Sequence, residues 1–418
     1  MFARHEADVL VVGAGPVGLF AALQLAERGL RVQVVDEERR TGAHSYALML
    51  HPDSLRLLDE IGLASAALET GYRVDRVALY DDKQPRAEYR FSDLPARFPF
   101  LTILRQDAFE ALLEERLRAR GVQVQWSHRV AVLEPESDHV NVTIDQLGKM
   151  PGGYAYAQSK WEVERTMHTR ARYVVGADGH RSLVRRAFDS AYPEVGPTTS
   201  FAVFEFQTDA MLGPQVRLVL DAHSANALWP LPGGWVRFNF QVEPDDASTE
   251  SRTKARLGVS VGPMQFPELT EQDLMVFLQA RAPWFRGRIG EMRWSMRVRF
   301  EQRLAESFGS GRLWLAGDAA HMASPVGGHS MNVGLREAHD LASRIAQVLK
   351  SGAAGALLDE YSQQRAAEWR QLFAIANVAA ADGCDPWVAE NRARIAACIQ
   401  ASGAERDQLL TQLRLRRA

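Results

Sequence analysis

The sequence predicts an α/β fold in which a helix-flanked parallel sheet is interrupted by a mainly antiparallel sheet and followed by C-terminal helices. A short apolar strand over 8–12 ends in glycines and leads into a helix over 16–28. Runs such as FAVFEFQ and WVRFNFQV, rich in β-branched and aromatic residues, predict antiparallel strands between about 200 and 242. Helical patterns follow the last predicted strand at 333–350, at 354–381 and after 386.

Other elements complete the predicted order. Strands are expected at 32–35, 122–126, 130–133, 139–144, 161–166, 171–177 and 312–317, and helices at 53–61, 107–120 and 270–281. A glycine-containing loop is expected at 146–160. The expected domains are 1–72, 100–182 and 290–345 for the parallel sheet, 73–99 and 183–289 for the inserted sheet, and 346–418 for the C-terminal helical region.

Composition excludes several classes of protein. A formal charge of -3 indicates no nucleic-acid partner, and 46% hydrophobic with 24% charged residues is ordinary for a globular chain. Cys384 and Cys398 are too few for a disulfide framework and lack metal-ligand spacing. No apolar stretch reaches the roughly 20 residues of a membrane span, so we expect a cytoplasmic protein without an integral membrane segment.

The first strand is followed by the GxGxxG motif of a Rossmann-like dinucleotide site. Gly13 permits the tight turn, Gly15 lets the backbone approach a pyrophosphate, and Gly18 lets helix and strand pack closely. Asp36 ends the second predicted strand, where an acid accepts hydrogen bonds from a ribose. This motif alone does not separate FAD from NAD.

Two later motifs repeat the arrangement of a strand followed by an acid and glycine. The first is Val174-Val175-Gly176-Ala177-Asp178-Gly179. The second runs from Leu313 through Gly317-Asp318 to His321 and continues into a glycine-rich loop, Pro325-Val326-Gly327-Gly328-His329-Ser330-Met331-Asn332. That loop leads into a helix, whose N-terminus can stabilise negative charge on a ligand.

The three motifs, in this order, resemble those of the FAD-dependent aromatic hydroxylases, the single-component flavoprotein monooxygenases similar to para-hydroxybenzoate hydroxylase. The resemblance covers roughly 8–345 in outline, is specific in the motifs, and is weak in the middle sheet. It implies a Rossmann-like FAD-binding domain with an inserted substrate domain. It also implies hydroxylation of an aromatic or polyketide-like molecule with NADPH or NADH and O2, through a flavin C4a-hydroperoxide.

The resemblance assigns cofactor contacts along the chain. The glycines of the first motif would hold the pyrophosphate and Asp36 the adenosine ribose, while Arg105-Gln106 would contact the flavin and Val130 the adenine. The GADG motif is associated with both FAD and NAD(P)H, and the last loop would lie beside the isoalloxazine ring. The implied cofactor-binding residues are Gly13, Gly15, Pro16, Gly18, Asp36, Arg105, Gln106, Val130, Asp178, Gly317, Asp318, Pro325, Gly327, Gly328 and Asn332.

The sequence departs from the family pattern at two places. His44-Ser45-Tyr46-Ala47 stands where the family has arginine followed by alanine, with Tyr46 in place of the arginine. Gly328-His329-Ser330 replaces the usual Gly-Gln-Gly beside the flavin. His329 is therefore expected near the ring, and His321 in a supporting role.

The inserted sheet supplies the candidate substrate pocket. Phe204, Trp229, Trp235 and Phe238 suit an apolar pocket for a planar substrate, although such residues are also common in a core. Arg217 and Arg237 suit a substrate carboxylate or, alternatively, solvent. No side chain is identified as the catalytic base.

Three alternative functions stay open at this point. They are flavin-dependent halogenation, reduction of an isoprenoid-type double bond, and flavin or ligand binding without turnover. The GWxWxIP signature of halogenases is not reproduced around Trp229 and Trp235. Substrate identity and oligomeric state are not predicted.

Overall fold

The computed structural model describes residues 6–39, 48–149, 161–243, 259–261, 264–266, 269–352, 355–374 and 378–417. The strands are β1 (Glu6–Val12), β2 (Val32–Asp36), β3 (Met49–Leu50), β4 (Tyr72–Val74), β5 (Arg76–Tyr80), β6 (Pro85–Arg90), β7 (Leu101–Ile103), β8 (Val124–Trp126), β9 (His128–Pro135), β10 (Val140–Lys149), β11 (Trp161–Gly176), β12 (Glu194–Thr208), β13 (Gln215–Leu220), β14 (Ala225–Pro230), β15 (Trp235–Val242), β16 (Val259–Val261), β17 (Met264–Phe266), β18 (Ile289–Leu304), β19 (Gly309–Ser310), β20 (Leu313–Leu315), β21 (His321–Met322), β22 (Val378–Ala380) and β23 (Leu415–Arg417). The helices are α1 (Pro16–Glu27), α2 (Pro52–Glu60), α3 (Ala64–Thr70), α4 (Gln106–Ala119), α5 (Leu183–Arg186), α6 (Glu271–Arg281), α7 (His329–Ser351), α8 (Ala356–Phe373), α9 (Pro386–Glu390), α10 (Arg392–Cys398) and α11 (Gly403–Gln412).

The first sheet contains the parallel strands. Its order is β19-β20-β11-β1-β2-β8; in addition, β10 pairs antiparallel with β11, and β9 pairs antiparallel with β10. Val9 in β1 lies between Tyr173 in β11 and Val32 in β2. The strands predicted at 161–166 and 171–177 are one continuous strand, β11. The loop expected at 146–160 is wrong at its start, because residues 146–149 belong to β10, and residues 150–160 lie outside the described part of the chain.

Helix α1 fixes the turn that follows β1. It packs against both α4 and α7, and its Leu19, Phe20 and Leu23 are fully buried. A helix that is apolar on nearly all sides is held in the core. The packing of α1 therefore holds the preceding glycine-rich turn in a fixed position.

The second sheet has the order β21-β18-β12-β15-β14-β13-β5-β6. Its pairs are antiparallel except for β13 with β5, which confirms the predicted mixed α/β architecture with an inserted, mainly antiparallel sheet. Because β18 pairs along the length of β12, we propose to move the domain boundary expected at 290 to about 305.

The C-terminal region differs from the prediction. The helix predicted over 354–381 ends at Phe373, and Val378–Ala380 instead forms β22, paired with β23. Alanine favours helix, but β22 finds its partner more than thirty residues later, which no local pattern reveals. The C-terminal segment (residues 378–417) packs through Ile399 and Leu409 into the apolar cluster that contains the second sheet. In the part of the chain that the structure describes, no helix is long and apolar enough to cross a membrane.

Candidate active site

Glycines shape the turn between β1 and α1. Gly13 has a φ of 99°, and a Cβ there would lie 2.2 Å from the Ala177 carbonyl oxygen. A Cβ on Gly18 would lie 2.0 Å from the Gly13 carbonyl oxygen. The two glycines therefore bring β1, α1 and the end of β11 into direct contact.

Gly15 differs from these two glycines. A Cβ at this position would meet no atom within 4 Å, so it would point into open space. Gly15 is the N-cap of α1, whose first residue is Pro16 and whose N-terminus has no side-chain cap, so N–H groups of the first helical turn have no partner within the helix. The geometry suits the close approach of a pyrophosphate to bare backbone.

Three acids follow three strands of the first sheet at the same edge. Asp36 ends β2, Asp178 follows β11, and Asp318 follows β20. These strands are joined side by side through β1 in parallel fashion, so their carboxyl ends meet. Ligands of open α/β sheets bind at this edge.

Asp36 and Asp178 already hold backbone N–H groups. Asp36 accepts from Ala14 at 2.6 Å through Oδ2 and from Glu38 at 2.8 Å through Oδ1. Asp178 Oδ2 accepts from Leu183 at 2.7 Å, while Asp178 Oδ1 is buried without a partner among the described residues. Burial raises the pKa of Asp178. A hydrogen-bond donor from a ligand would satisfy the free oxygen.

Asp318 follows β20 at the same edge of the sheet. Its side chain is solvent-exposed, yet the surrounding protein raises the pKa of its carboxyl, an effect that His321 and His180 oppose. The side chain is therefore accessible to a ligand that binds at this edge of the sheet.

A buried network holds the Asp318 turn. The Glu337 carboxylate, on α7, accepts from Gly317 N–H at 2.9 Å, from Trp369 Nε1 at 2.7 Å, and from His321 Nε2 at 2.7 Å. The His321 ring also stacks on Trp369 at 3.9 Å. His321 thus has the supporting place that the sequence predicts, and Glu337, which carries no motif signal, is the residue that holds His321 and the Gly317 turn together.

Asn332 connects the glycine-rich loop to the start of α2. Its Oδ1 accepts from His51 N–H at 2.8 Å and from the Ser54 hydroxyl at 2.7 Å. Its Nδ2 donates to the carbonyls of Met49 at 3.0 Å and Gly328 at 2.8 Å. These protein contacts give Asn332 a positioning role, and its contact with the flavin stays a prediction.

His51 is a buried base beside the same loop. Its Nε2 lies 3.0 Å from the Gly327 carbonyl oxygen, and because a carbonyl only accepts, Nε2 carries the proton. Nδ1 is then an acceptor without a partner among the described residues. Burial lowers the pKa of His51 well below its usual value, and the neighbouring His329 adds to this.

His329 and Ser330, which stand where the family pattern has Gln and Gly, both make hydrogen bonds that stabilise the glycine-rich loop. His329 Nε2 donates to the Ala401 carbonyl at 3.1 Å, which ties the loop to the C-terminal segment, and a Cβ on Gly327 would lie 2.4 Å from its ring. Burial lowers the pKa of His329 to about 4. Ser330 Oγ accepts from Ala323 N–H at 3.1 Å.

His44, Ser45, Tyr46 and Ala47 lie outside the described residues.

Arg105 and Gln106 stand at the start of α4. Arg105 binds Asp107 at 2.9 Å and Glu205 at 2.7 Å, so it bridges the first sheet's helix to the second sheet. Gln106 donates to Glu110 at 2.8 Å, and burial raises the pKa of Glu110 to about 7. Their contacts with flavin stay predictions.

Val130 is placed in β9. It is buried and lies opposite Ile144 of β10. The contact of its backbone with adenine stays a prediction.

The predicted pocket residues lie on opposite faces of the second sheet. Phe204 and Phe238 are paired partners, Arg217 shares their face through Leu228, and this face packs against α6. Trp229 lies on the other face. The expectation of one shared pocket is therefore wrong. The sequence could not show this, because both faces of these strands are apolar and their alternation does not reveal which face meets the cofactor.

The face that carries Trp229 also carries a charged cluster. Glu205, fully buried, accepts from Arg237 at 2.6 Å, from Arg293 at 2.8 Å, and from Arg105. Arg293 is the extra residue of a β-bulge between Glu205 and its neighbour, which re-aims its side chain. An acid inside the apolar run FAVFEFQ was the signal that sequence reasoning overlooked.

Comparison with known proteins adds to this geometry. The family model described as FAD binding domain matches residues 6–376. The chain is 31% identical over 369 residues to 6-methylpretetramide 4-monooxygenase of Streptomyces rimosus, covering 86% of this chain and 60% of that protein. It is 28% identical to pentachlorophenol 4-monooxygenase of Sphingobium chlorophenolicum, covering 88% and 63%. It therefore spans less than two thirds of the length of these relatives.

A solved structure shows the same fold. The p-nitrophenol 4-monooxygenase of Pseudomonas putida aligns with a TM-score of 0.73 and 23% identity, covering 99% of this chain and 100% of that one. At this identity the likeness concerns the fold alone.

Proposed function

We infer the function from one premise, that the chain belongs to the FAD binding domain family. We propose that it is an FAD-dependent monooxygenase that hydroxylates an aromatic or polyketide-like small molecule, with NADPH or NADH and O2 as co-substrates. The observation that carries the proposal is the position of the Pro325 loop (residues 323–328). Its Val326 packs in the same apolar cluster as Trp229. The helix that follows the loop, α7, contacts Gly317 at the carboxyl edge of the first sheet, through the carboxylate of Glu337 and through Gly334.

The described residues fit FAD. Open space at Gly15, an exposed Asp318 and the unpaired oxygen of Asp178 meet at one edge of the sheet. Bound FAD would supply hydride acceptance and oxygen activation, chemistry that side chains lack. The N-terminus of α1 would hold the pyrophosphate and Asp36 the ribose.

The protein's own task is to orient the ring and exclude water. The hydrogen bonds of Asn332 and His329 fix the Pro325 loop, whose bare glycine backbone would lie along the flavin. The Trp229 face of the second sheet would enclose the substrate on the opposite side. A closed apolar site protects a reactive oxidant from water.

The relatives favour hydroxylation over the alternative functions. Those named above are monooxygenases that act on aromatic compounds according to their names, which supports oxygen transfer rather than halogenation, double-bond reduction or binding alone.

The test is turnover by the purified holoprotein. NADPH or NADH oxidation and flavin reduction would be followed with and without a panel of phenols and aromatic polyketides, and products analysed by mass. We expect at least one compound to accelerate flavin reduction and to gain one oxygen atom. Acceleration without oxygenated product, or no acceleration by any compound, would overturn the proposal.

A further inference from the structure

The Trp229 face of the second sheet contains a buried polar atom without a partner. Asn239, in β15, is 7% exposed, and its Oδ1 makes no hydrogen bond to any described residue. Buried carboxamide oxygens are nearly always paired, because an unpaired one loses its hydration without compensation. The unpaired oxygen therefore needs a partner that is not part of the described chain.

The position of Asn239 points to the substrate side. It lies between Val203 of β12 and Ala227 of β14, both of which belong to the apolar cluster that also contains Trp229 and Val326. Ala227 contributes only a methyl group beside the carboxamide. The oxygen thus sits on the sheet face that shares an apolar cluster with Val326 of the Pro325 loop.

A second buried asparagine on the same sheet shows the contrast. Asn226 donates to the Val219 carbonyl at 3.2 Å and to Ser224 Oγ at 3.0 Å, and its Oδ1 accepts from Gln241 N–H at 3.1 Å. Both the nitrogen and the oxygen of its carboxamide are therefore hydrogen-bonded within the protein. Asn239 is nearly as buried, at 7% exposure against 0% for Asn226, but its Oδ1 has no partner among the described residues.

We propose that Asn239 Oδ1 accepts a hydrogen bond from a ring hydroxyl of the substrate. The inference rests on the proposed function and specifies its substrate class, since an oxygen acceptor requires a ligand that donates. Phenols and hydroxylated polyketides meet this requirement, whereas their methyl ethers do not. Asn239 is then a residue that determines specificity, not one that performs the chemistry.

The experiment measures binding to the holoprotein through the change in flavin absorbance. The probes are phenol, resorcinol and naphthol, each compared with its methyl ether. The proteins are wild type, Asn239→Leu, the smaller Asn239→Ala in case leucine disturbs folding, and Asn226→Leu as the matched control. Melting temperatures of the FAD-loaded proteins report the effect on the fold.

We expect wild type to bind at least one hydroxylated probe roughly ten- to a hundredfold tighter than its ether. Both Asn239 variants should reduce that ratio to below about threefold. Asn226→Leu should keep the ratio and lower the melting temperature, whereas Asn239→Leu should leave the melting temperature unchanged or raise it.

Two results would overturn the inference. One is an unchanged ratio in both Asn239 variants, and the other is a wild-type protein that binds no hydroxylated probe or does not prefer it to the ether. Failure of the proposed function is recognised separately, because bound phenols would then leave the enzyme without added oxygen, whatever the binding ratio.

Discussion

The imidazole of His321 and the carboxylate of Glu337 form a fully buried pair, with 2.7 Å between Nε2 and Oε2. The same carboxylate holds the N–H of Gly317. The pair therefore fixes the turn that carries Asp318.

Replacing Glu337 with glutamine should destabilise the protein by roughly 3–5 kcal/mol, because the buried carboxylate accepts three hydrogen bonds and an amide would leave buried donors unpaired. Urea unfolding at fixed FAD concentration measures the change. The exposed Glu360→Gln is the control and should change stability by less than about 0.5 kcal/mol. Equal stability of the two variants would contradict a supporting role for the network.

Glu337 also predicts an acid-sensitive component of stability. Burial opposes its ionisation, but His321 and the hydrogen bonds outweigh burial and hold the pKa of Glu337 below its usual value of 4.5. Its contribution is complete above pH 4.5 and is lost as the pH falls towards the lower folded pKa. Between pH 5 and pH 3, wild type should therefore lose more unfolding free energy than Glu337→Gln.

His329 predicts a second, milder pH dependence. Its pKa falls from 6.5 to about 4 in the fold, so the unfolded chain takes up the proton first as the pH decreases. The difference corresponds to about 3 kcal/mol of stability lost between pH 6.5 and pH 4. His329→Gln should flatten the stability profile over this range, while the exposed His223→Gln should not.

Substitutions at two glycines of the turn between β1 and α1 should have different effects, one on stability and the other on cofactor binding. Gly18→Ala places a Cβ against the Gly13 carbonyl and should cost about 1–3 kcal/mol in the FAD-free protein. Gly15→Ala enters open space and should change that stability by less than about 1 kcal/mol, yet weaken FAD at least about tenfold. Fluorescence titration with FAD checks this. Unchanged affinity in Gly15→Ala would show that no phosphate approaches this residue.

The arginines around Glu205 should contribute unequally. Arg237 is 2% exposed and donates twice to Glu205, so Arg237→Ala should cost about 3–5 kcal/mol. Arg293 is 37% exposed, and Arg293→Ala should cost about 1 kcal/mol or less. Chemical denaturation compares the two directly. A larger loss in Arg293→Ala would reverse the order that burial predicts.

The two faces of the second sheet should respond differently to mutation. Phe238 stacks on Phe240 at 4.1 Å on the α6 face, so Phe238→Leu should lower stability by about 1–3 kcal/mol and leave KM within about twofold. Trp229→Phe should raise KM about tenfold with a smaller loss of stability. The comparison uses whichever aromatic compound the enzyme turns over. A substrate effect confined to Phe238 would place the pocket on the other face.

Local motifs explain why the cofactor edge could be predicted. Gly13, Gly18 and Asp178 lie within short segments whose backbone requirements are visible in the sequence itself. The mixed α/β order followed in the same way from strands and helices with clear periodicity.

The parts that escaped prediction depend on contacts between distant residues. Glu205 meets Arg105 across one hundred positions, and His329 meets Ala401 across 72. The side of the sheet on which Trp229 lies is decided by tertiary packing, because its strands are apolar on both faces. Periodicity identifies such elements but not their partners.

The interleaved order of the first sheet has a consequence for how the chain acquires its structure during synthesis. Val9 of β1 pairs with Tyr173 of β11, and Val174 of β11 pairs with Leu313 of β20, so the central strands are paired on both sides only after the later strands have been synthesised. Loop closure over such separations is slow, and a nascent chain that stops before β20 exposes the edge of β11. We therefore expect ribosome-bound fragments ending before residue 313 to depend on chaperones, whereas chains that include α7 become protease-resistant in a single late step.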